Sequence, residues 1–298
     1  MSLIIQHNLM ATNAARNMSV AFTSLAGSVR KLSSGLRIAT AADDAAGLAI
    51  RELMRADIAS MNQGIRNVND AISLIQTADG AAQIIDEKLT RMKELAEQAA
   101  SGTYNSDQRL IIDSEYQAMA SEISRIANAT DFNGIHLLNG NLSGENSLHS
   151  GSALVSTGPL KVHFGTANDC AEDYYYISIG NITASALGMG TGAATSAQGR
   201  SISTQSAAQN ALSALTTAII SKDRIRANLG ALENRLYAVT NLAIMAENLQ
   251  AAESRISDVD VALEMTAFVR SQILSNAAVA MLAQANTLPR MALSLLES

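Results

Sequence analysis

Apolar residues recur every seven positions at both ends of the chain. Near the start, two such rows run four positions apart, and near the end one row is flanked by alanines. A seven-residue apolar repeat is typical of helices that pack along a coiled-coil seam. We therefore predict that both end segments are helical and that they pair with each other. The rows are Ile4, Ala11, Met18, Leu25 and Leu32, with Ala15, Phe22, Val29 and Leu36, at the start, and Ala267, Leu274, Met281, Leu288 and Leu295, with Ala278, Ala285 and Ala292, at the end.

A two-helix seam of this kind leaves further apolar residues on the outer faces of both helices. Leu9 and Val20 lie off the first stripe, and Ile273 and Val279 lie off the second. So much unshared apolar surface predicts protein partners, and a repeated head-to-tail contact that does not close gives an open filament. The end stripes are thus a candidate polymerisation core, with an intramolecular helical bundle as the simpler alternative.

Two interruptions divide the helical pattern near the chain ends. Gly35 is suited to end the first helix, and Thr40, Asp43 and Asp44 are suited to cap the next one. The following segment contains no proline, so this second helix is predicted to run from residue 45 to about 99. Near the other end, Ser257, Asp258 and Asp260 predict a joint between two helical segments. Asp43 and Asp44 do not predict a metal site or an acid/base pair, because adjacent residues on a helix point in different directions and do not converge on one ligand.

The pattern of residues changes twice in the middle of the chain. A turn at residues 100–106 precedes a helix that ends near residue 128, after which Asn and Gly predict a loop. Apolar residues then alternate at 160–164 and 175–179, which predicts a β-hairpin. From about residue 203 the helical spacing returns.

Composition excludes several classes of function. The net charge is −6 and Lys and Arg form no block, so neither nucleic acid nor membrane is expected as a partner. The four histidines show no metal-ligand spacing, and Cys170 has no companion. We expect no cofactor, no metal and no catalytic residues. The N-terminus carries no charge before Arg16 and lacks the pattern of a signal peptide, so any export is expected to proceed without one.

A Ser-rich stretch precedes the first predicted strand and is a candidate for O-linked sugar. Serine and threonine hydroxyls in a polar loop are accessible to modification. Absence of any mass increase on the intact protein would exclude this hypothesis. The candidate residues are Ser143, Ser147, Ser150, Ser152, Ser156 and Thr157.

Several long motifs resemble those of bacterial flagellins. They cover most of the chain outside residues 141 to 200, and they occur in the order found in that family. The N-terminal motifs are LSSGLRIATAADDAAGLAI (32–50), NQGIRNVNDAISLIQTADGA (62–81) and FNGIHLL (132–138), and the C-terminal motifs occupy residues 229–266 and 271–296.

The resemblance implies a mainly α fold, a long antiparallel α-helical coiled-coil rod with a small β-hairpin excursion. Residues 1–40 and 257–298 would form the inner domain of the filament core. Residues 41–256 would form an outer rod domain with a hairpin at about 132–185, and no further outer domains are expected. The implied function is that of a structural subunit that polymerises into the flagellar filament for swimming. A hook–filament junction protein and a secreted helical effector or adhesin are the alternatives, and an enzyme is not expected.

The resemblance also implies partners. Flagellins are exported unfolded through the flagellar type III apparatus, and their end segments fold on assembly outside the cell. An export chaperone would bind the C-terminal helix, and the filament cap and hook-junction proteins would contact the polymer. The chaperone contacts would fall on Leu274, Ala278, Met281, Ala285 and Leu288.

One motif resembles the segment of flagellins that Toll-like receptor 5 recognises. LTRMKELAEQ, at residues 89–98, matches it except that Lys93 stands in place of an arginine, which removes bidentate pairing there. The alternative is that this segment only packs against neighbouring subunits. The candidate receptor-binding residues are Leu89, Arg91, Glu94, Leu95 and Glu115.

Overall fold

The structure, a computed structural model, describes five stretches of the chain and divides into two compact units. The first unit comprises Met1–Ile58 with Glu247–Ser298, and the second comprises Ala59–Ala246. The predicted domain boundaries near residues 40 and 257 stay predictions. The described stretches are residues 8–143, 158–169, 172–189, 201–239 and 241–296, with side chains as far as residue 287.

Helices dominate the described residues, and the strands form two small antiparallel pairs. This confirms the predicted class, mainly α with long helices and a small β-hairpin excursion. The helices are α1 (Leu9–Ser34), α2 (Ala45–Ala100), α3 (Ser106–Ala129), α4 (Gln205–Ala238), α5 (Asn241–Ser257) and α6 (Val261–Leu296). The strands are β1 (Asp131–Phe132) paired with β2 (Ile135–His136), and β3 (Leu160–His163) paired with β4 (Tyr174–Ile177).

In the first unit, α1 packs along α6, as the end stripes predicted. Gly35 ends α1 with a left-handed φ of 71°, which glycine adopts without strain. The Asp44 carboxylate accepts the N–H groups of Ala46 and Gly47 and so caps α2. Asp43 instead binds the N–H of Thr40 within the preceding turn, so the two neighbouring carboxylates both serve local backbone geometry.

The second unit buries one side of α2 against α3, α4 and the strands. Ala78, Ala82, Ile85, Leu89 and Met92 recur every three or four residues of α2 and are completely buried. Aromatic residues are scarce, so aliphatic side chains fill this core, and Tyr116 is the aromatic residue with the least exposure among those described. Burial raises the pKa of the Tyr116 hydroxyl, which stays protonated.

The β3–β4 hairpin packs closely against α2. The Asn67 side chain donates to the carbonyl of His163 at 2.8 Å, and the Ser60 hydroxyl donates to the carbonyl of Gly165 at 3.4 Å. Gly64 lies between these two residues of α2, and a Cβ added there would lie 2.1 Å from the Phe164 carbonyl oxygen. The absence of a side chain at residue 64 therefore allows the hairpin backbone to approach the helix.

Two features differ from the sequence prediction. Residues 131–136, predicted as loop, contain the β1–β2 hairpin, whose turn places Asn133 and Gly134 at φ of 51° and 79°. An Asn-Gly pair between short apolar runs is a known hairpin signal. Each strand has only two residues, so no alternating pattern accompanied that signal in the sequence. The helical spacing that begins at about residue 203 does not indicate the break between α4, which ends at Ala238, and α5, which begins at Asn241, because no glycine or proline occurs there.

Candidate assembly surface

Small side chains form much of the seam between α1 and α6. Ala21 and Ser28 are buried on α1, and Ser275 and Ala285 are buried on α6. Such residues let two helix backbones approach closely, because the separation of packed helices depends on the side chains at the contact. At the end of the described pairing, the Asn8 amide donates to the carbonyl of Ala285 at 2.8 Å.

Most of the large apolar side chains of both helices lie outside this seam, in contrast to Met18, Leu25 and Leu32, which are half-buried along it. The exposed fractions of the outlying residues range from 44% to 69%, far more apolar surface than scattered single residues would contribute. We call this set the outer apolar face. Its members are Leu9, Met10, Val20, Phe22 and Val29 on α1, and Val261, Leu263, Met265, Val269, Ile273, Leu274, Val279 and Met281 on α6.

Part of the outer apolar face is concave. A groove of about 560 Å³ runs between the two helices, with Met10 and Val20 on one side and Leu274 and Met281 on the other. Asn13, Asn17, Ser24 and Ser271 are its polar lining, and alanines complete it. An apolar groove with a few polar groups is suited to receive a helix from another chain.

The sequence placed the end rows only partly correctly. Ala11, Met18, Leu25 and Leu32 are half-buried along α1, as predicted for a seam, whereas Phe22 and Val29 are exposed. On α6, Ala278 and Ala285 lie toward the seam while Leu274 and Met281 face outward. The second seam row of α1 is offset by three positions instead of four and consists of Ala14, Ala21 and Ser28.

The physical reason is that a large apolar side chain on a helix pair is not necessarily a buried one. Heptad spacing fits a second row at either three or four positions from the first, and the larger side chains at 22 and 29 favoured the wrong one. The predicted role of these rows as a polymerisation core stays a prediction. Ile4 lies outside the described residues, and so do the side chains of Leu288 and Leu295.

The candidate receptor-binding residues separate into a core pair and a surface cluster. Leu89 and Leu95 are buried in the second unit, so they can only position their neighbours. Arg91 is half-exposed and donates to one Glu115 oxygen at 3.0 and 2.9 Å and to Glu94 at 3.1 Å. Hydrogen bonds from Arg91 to Glu115 and then to Glu94 raise the pKa of the guanidinium.

A second charge cluster joins α2 to α4, and the sequence analysis missed it. Lys222 is 1% exposed and lies 2.5 Å from Asp86 and 2.7 Å from Asp223. One turn further along α4, Arg226 makes a bidentate pair with Asp79, at 2.7 and 3.1 Å. The spacing of seven between the two α2 aspartates and of four between the two α4 cations was a signal, because both spacings fall on one helix face.

The remaining candidate chemistry is limited in the described part of the chain. Ser143 is exposed and its hydroxyl donates to the Gly140 carbonyl at 2.6 Å, whereas the other five candidate sugar acceptors and Cys170 lie outside the described residues. Within the described stretches, no cluster of His, Cys, Asp and Glu could hold a metal ion. The helices described there are too short or too polar to span a bilayer.

Comparison with protein families identifies both ends of the chain. The family model for the bacterial flagellin N-terminal helical region matches residues 5–143. The model for the bacterial flagellin C-terminal helical region matches residues 212–296. The two matches include α1 and α6, which carry the outer apolar face.

Similar proteins match over the full length. A flagellin of Halalkalibacterium halodurans is 40% identical over 295 residues, which cover 99% of this chain and 100% of that protein. The flagellar filament 33 kDa core protein of Treponema phagedenis is 40% identical over 298 residues, with the same coverage. These names indicate a filament subunit rather than a junction protein or a secreted effector.

A solved structure is also similar in sequence. The crystal structure of Bacillus cereus flagellin aligns with 63% of this chain and 94% of that chain at 30% identity, with a TM-score of 0.45. That score is too low for the superposition to support the fold by itself. The matched regions at both ends, and the full-length similarity to flagellins, establish that the chain belongs to the bacterial flagellin family and is a structural subunit of the flagellar filament.

Proposed function

We propose that copies of this chain polymerise through the outer apolar face of α1 and α6, while the Ala- and Ser-rich seam holds each helix pair together. The observation that carries the proposal is a difference in exposure: the most buried positions of the helix pair carry Ala or Ser, whereas most of the large apolar side chains are exposed. In an isolated chain this arrangement is unfavourable, because large apolar side chains gain most from removal from water.

The exposure of large apolar side chains outside the seam is suited to a polymer. Each copy presents the apolar groove lined by Met10 and Leu274 together with exposed apolar residues elsewhere on the same helices. A groove and a row at different places on one molecule allow a heterologous contact, which repeats without closing and so extends a filament. The family's filament role requires a contact of this kind.

Replacement of Leu274 and Met281 by Ser tests this surface. Both side chains are more than half exposed, so the helix pair should remain folded. Burial of the exposed part of each contributes about 1 kcal/mol to subunit association, and the loss of both should raise the critical concentration for polymerisation about thirtyfold. Sedimentation of purified protein after salting out, with negative-stain electron microscopy of the pellet, measures this concentration.

The matched control replaces two exposed polar residues of the same helix, Gln272→Ser with Asn276→Ser. It should polymerise like the natural chain. If the Leu274/Met281 variant polymerised at the natural concentration, the outer apolar face would not be the assembly surface. A circular dichroism spectrum of each soluble variant shows whether helix content has changed.

The same face fits the export partners that we propose. A chaperone that holds α6 before assembly would cover Leu274 and Met281, which are exposed, together with half-buried Ala278. It would reach buried Ala285 only while α1 is absent from the seam. The chain would therefore travel unpaired and form its seam outside the cell. The filament cap and hook-junction proteins would then contact the ends of the extracellular polymer.

A second proposed property is recognition of the monomer by Toll-like receptor 5. The observation that favours it is the surface cluster of Arg91, Glu94 and Glu115, which is exposed and pre-ordered by three hydrogen bonds. A guanidinium held between two carboxylates loses little side-chain entropy when a partner binds it. Leu89 and Leu95 lie beneath the cluster and would act only by fixing the position of α2.

Arg91→Ala and Glu115→Ala should each weaken receptor signalling by soluble monomer by about tenfold, because a lost charge-assisted hydrogen bond costs about 1.5 kcal/mol. An exposed ion pair contributes at most about 1 kcal/mol to folding, so both variants should stay folded. Arg125→Ala is the matched control, since Arg125 forms a similar exposed pair with Glu122. Equal signalling by all three variants and the natural chain in a receptor reporter assay would refute the assignment.

A further inference from the structure

The two interruptions near the chain ends lie side by side in the first unit. Leu36 and Asp258 form an antiparallel β-bridge. The N–H of Arg37 donates to the Ser257 carbonyl at 2.6 Å, and the N–H of Val259 donates to the Gly35 carbonyl at 3.0 Å. We call residues 35–38 and 256–259 the clasp, because they join the end of α1 to the start of α6.

Two arginines reinforce the clasp. Arg37 donates through Nη2 to the Ile256 carbonyl at 2.8 Å. Arg51 on α2 donates through Nη1 to the Ile38 carbonyl at 2.6 Å, and both Arg51 and Ile38 are buried. Ser257 is buried as well, so its carbonyl, which accepts the N–H of Arg37, is shielded from competing water. The two segments of the clasp are therefore hydrogen-bonded to each other and also to α2.

The seam beyond the clasp specifies its own register only weakly. One α1 row is Ala14, Ala21 and Ser28, and one α6 row is Ser271, Ala278 and Ala285. Each row repeats small side chains every seven residues, so a shift of one heptad again places small residues opposite small residues. The second inward row of α6 is Phe268, Ser275 and Leu282, and it opposes a slip only at its small residue, Ser275. On α1 the flexible side chain of Met18 can adjust to a changed neighbour. A seven-residue repeat of this kind therefore leaves the slipped pairing as a competitor, which a contact outside the repeat must disfavour.

The far end of the helix pair keeps the register of the clasp. There the Asn8 amide donates to the carbonyl of Ala285. The stretch from residue 8 to 36 and the stretch from 258 to 285 are equal in length to within one residue. The alignment that Leu36 and Asp258 set at one end is thus kept over the whole described length of the pair.

We infer that the clasp is a register-setting device: it selects the one alignment of α1 and α6, among heptad-related alternatives, that builds the polymerisation surface. A slip of one heptad moves α1 by about 10 Å along α6. Met10 and Val20 would then face different α6 residues, and the groove that they form with Leu274 and Met281 would be rebuilt. This consequence rests on the proposed assembly surface, whereas the register itself does not.

Spin-label distances test the register. Thr23→Cys on α1 and Gln284→Cys on α6 place labels at exposed positions, in a Cys170→Ser background so that only these two sites react. Labelled chains are mixed with an excess of unlabelled natural chain under polymerising conditions. The distance within each labelled chain is measured by double electron–electron resonance on the whole mixture, so that slipped chains are counted whether or not they enter the filament. With the clasp intact, a single narrow distance is expected. In the clasp variant Arg37→Ala/Arg51→Ala, a second population displaced by about 10 Å is expected.

Arg30→Ala/Arg55→Ala is the matched control, because both residues are exposed arginines of the same unit, and it should keep the single distance. Asn8→Ala removes the far contact and should keep it too, since the clasp persists. The proposal is overturned if the clasp variant retains the natural distance, or if Asn8→Ala alone produces the displaced population. If the double variant loses helix pairing altogether, the single variant Arg37→Ala is measured in its place. A displaced population then supports the proposal, and its absence overturns it.

The readout separates this inference from the proposed assembly surface. The natural chain supplies the filaments whatever surface joins its subunits. A normal distance in the clasp variant therefore contradicts the clasp alone, and normal polymerisation of the Leu274/Met281 variant contradicts the assembly surface alone.

Discussion

Asp86→Ala is expected to lower the free energy of unfolding of the second unit by about 3 kcal/mol, because it leaves a buried ammonium group without its main partner. Lys222 is 1% exposed, and Asp86 is the nearer of the two carboxylates that bind it. Asp223 remains at 2.7 Å but is itself largely exposed, so it compensates only in part. The expected value is accordingly at the lower end of the cost of breaking a buried ion pair.

Tyrosine fluorescence during urea denaturation measures this loss selectively. All six tyrosines lie in the second unit and the chain has no tryptophan. The double variant Asp86→Leu/Lys222→Met should recover most of the stability, because apolar residues can replace a buried pair at little net cost. Glu94→Ala, which removes one partner of the exposed Arg91, should change stability by less than about 1 kcal/mol. A similar effect of Asp86→Ala and Glu94→Ala would show that burial of Lys222 is unimportant.

Gly64→Ala is expected to destabilise the second unit by about 2 kcal/mol, although the same substitution usually stabilises a helix. The added Cβ would lie 2.1 Å from the Phe164 carbonyl oxygen and 2.8 Å from its carbonyl carbon. Both atoms belong to the backbone, so relief requires the hairpin to move away from α2. That movement would lengthen the hydrogen bond from Asn67 to His163.

Gly80→Ala on the same helix is the matched control. No atom lies within 4 Å of a Cβ added at residue 80, and the position is exposed. The control should therefore gain about 1 kcal/mol from helix propensity alone. Opposite signs for the two substitutions, measured by the same denaturation, are the expected result. If both stabilised the unit, the close approach of the hairpin backbone to α2 would be wrong.

Local patterns predicted the helices wherever the signals were strong and repeated. The end of α1 at Gly35, the cap of α2 at Asp44 and the joint at 257–260 all follow from backbone preferences of single residues. The break between α4 and α5 has no such residue, and β1 and β2 are too short for an alternating pattern. These elements depend on contacts distant in sequence, which a local pattern does not contain.

The candidate sites were predictable to different degrees. Arg91 and Glu115 were named from a motif, and their hydrogen bonds form between two helices joined by a tight turn. The pairing of Lys222 with Asp86 was missed, because their 136-residue separation hides any periodic relation between them. Burial of Lys222 is decided by how α4 packs on α2, and a hydrophobicity pattern assigns a lysine to the surface by default.

The sequence by itself determined that the ends of this protein are long apolar-striped helices, that they pair, and that the chain belongs with flagellins. Heptad spacing and long motifs are properties of the residue order alone. Only the tertiary structure decided which stripe faces inward. Heptad spacing allows a second row at three or four positions from the first, and close approach of the backbones selected the alanines and serines. Phe22, Val29, Leu274 and Met281, which the pattern assigned to the seam, consequently lie on the exposed surface.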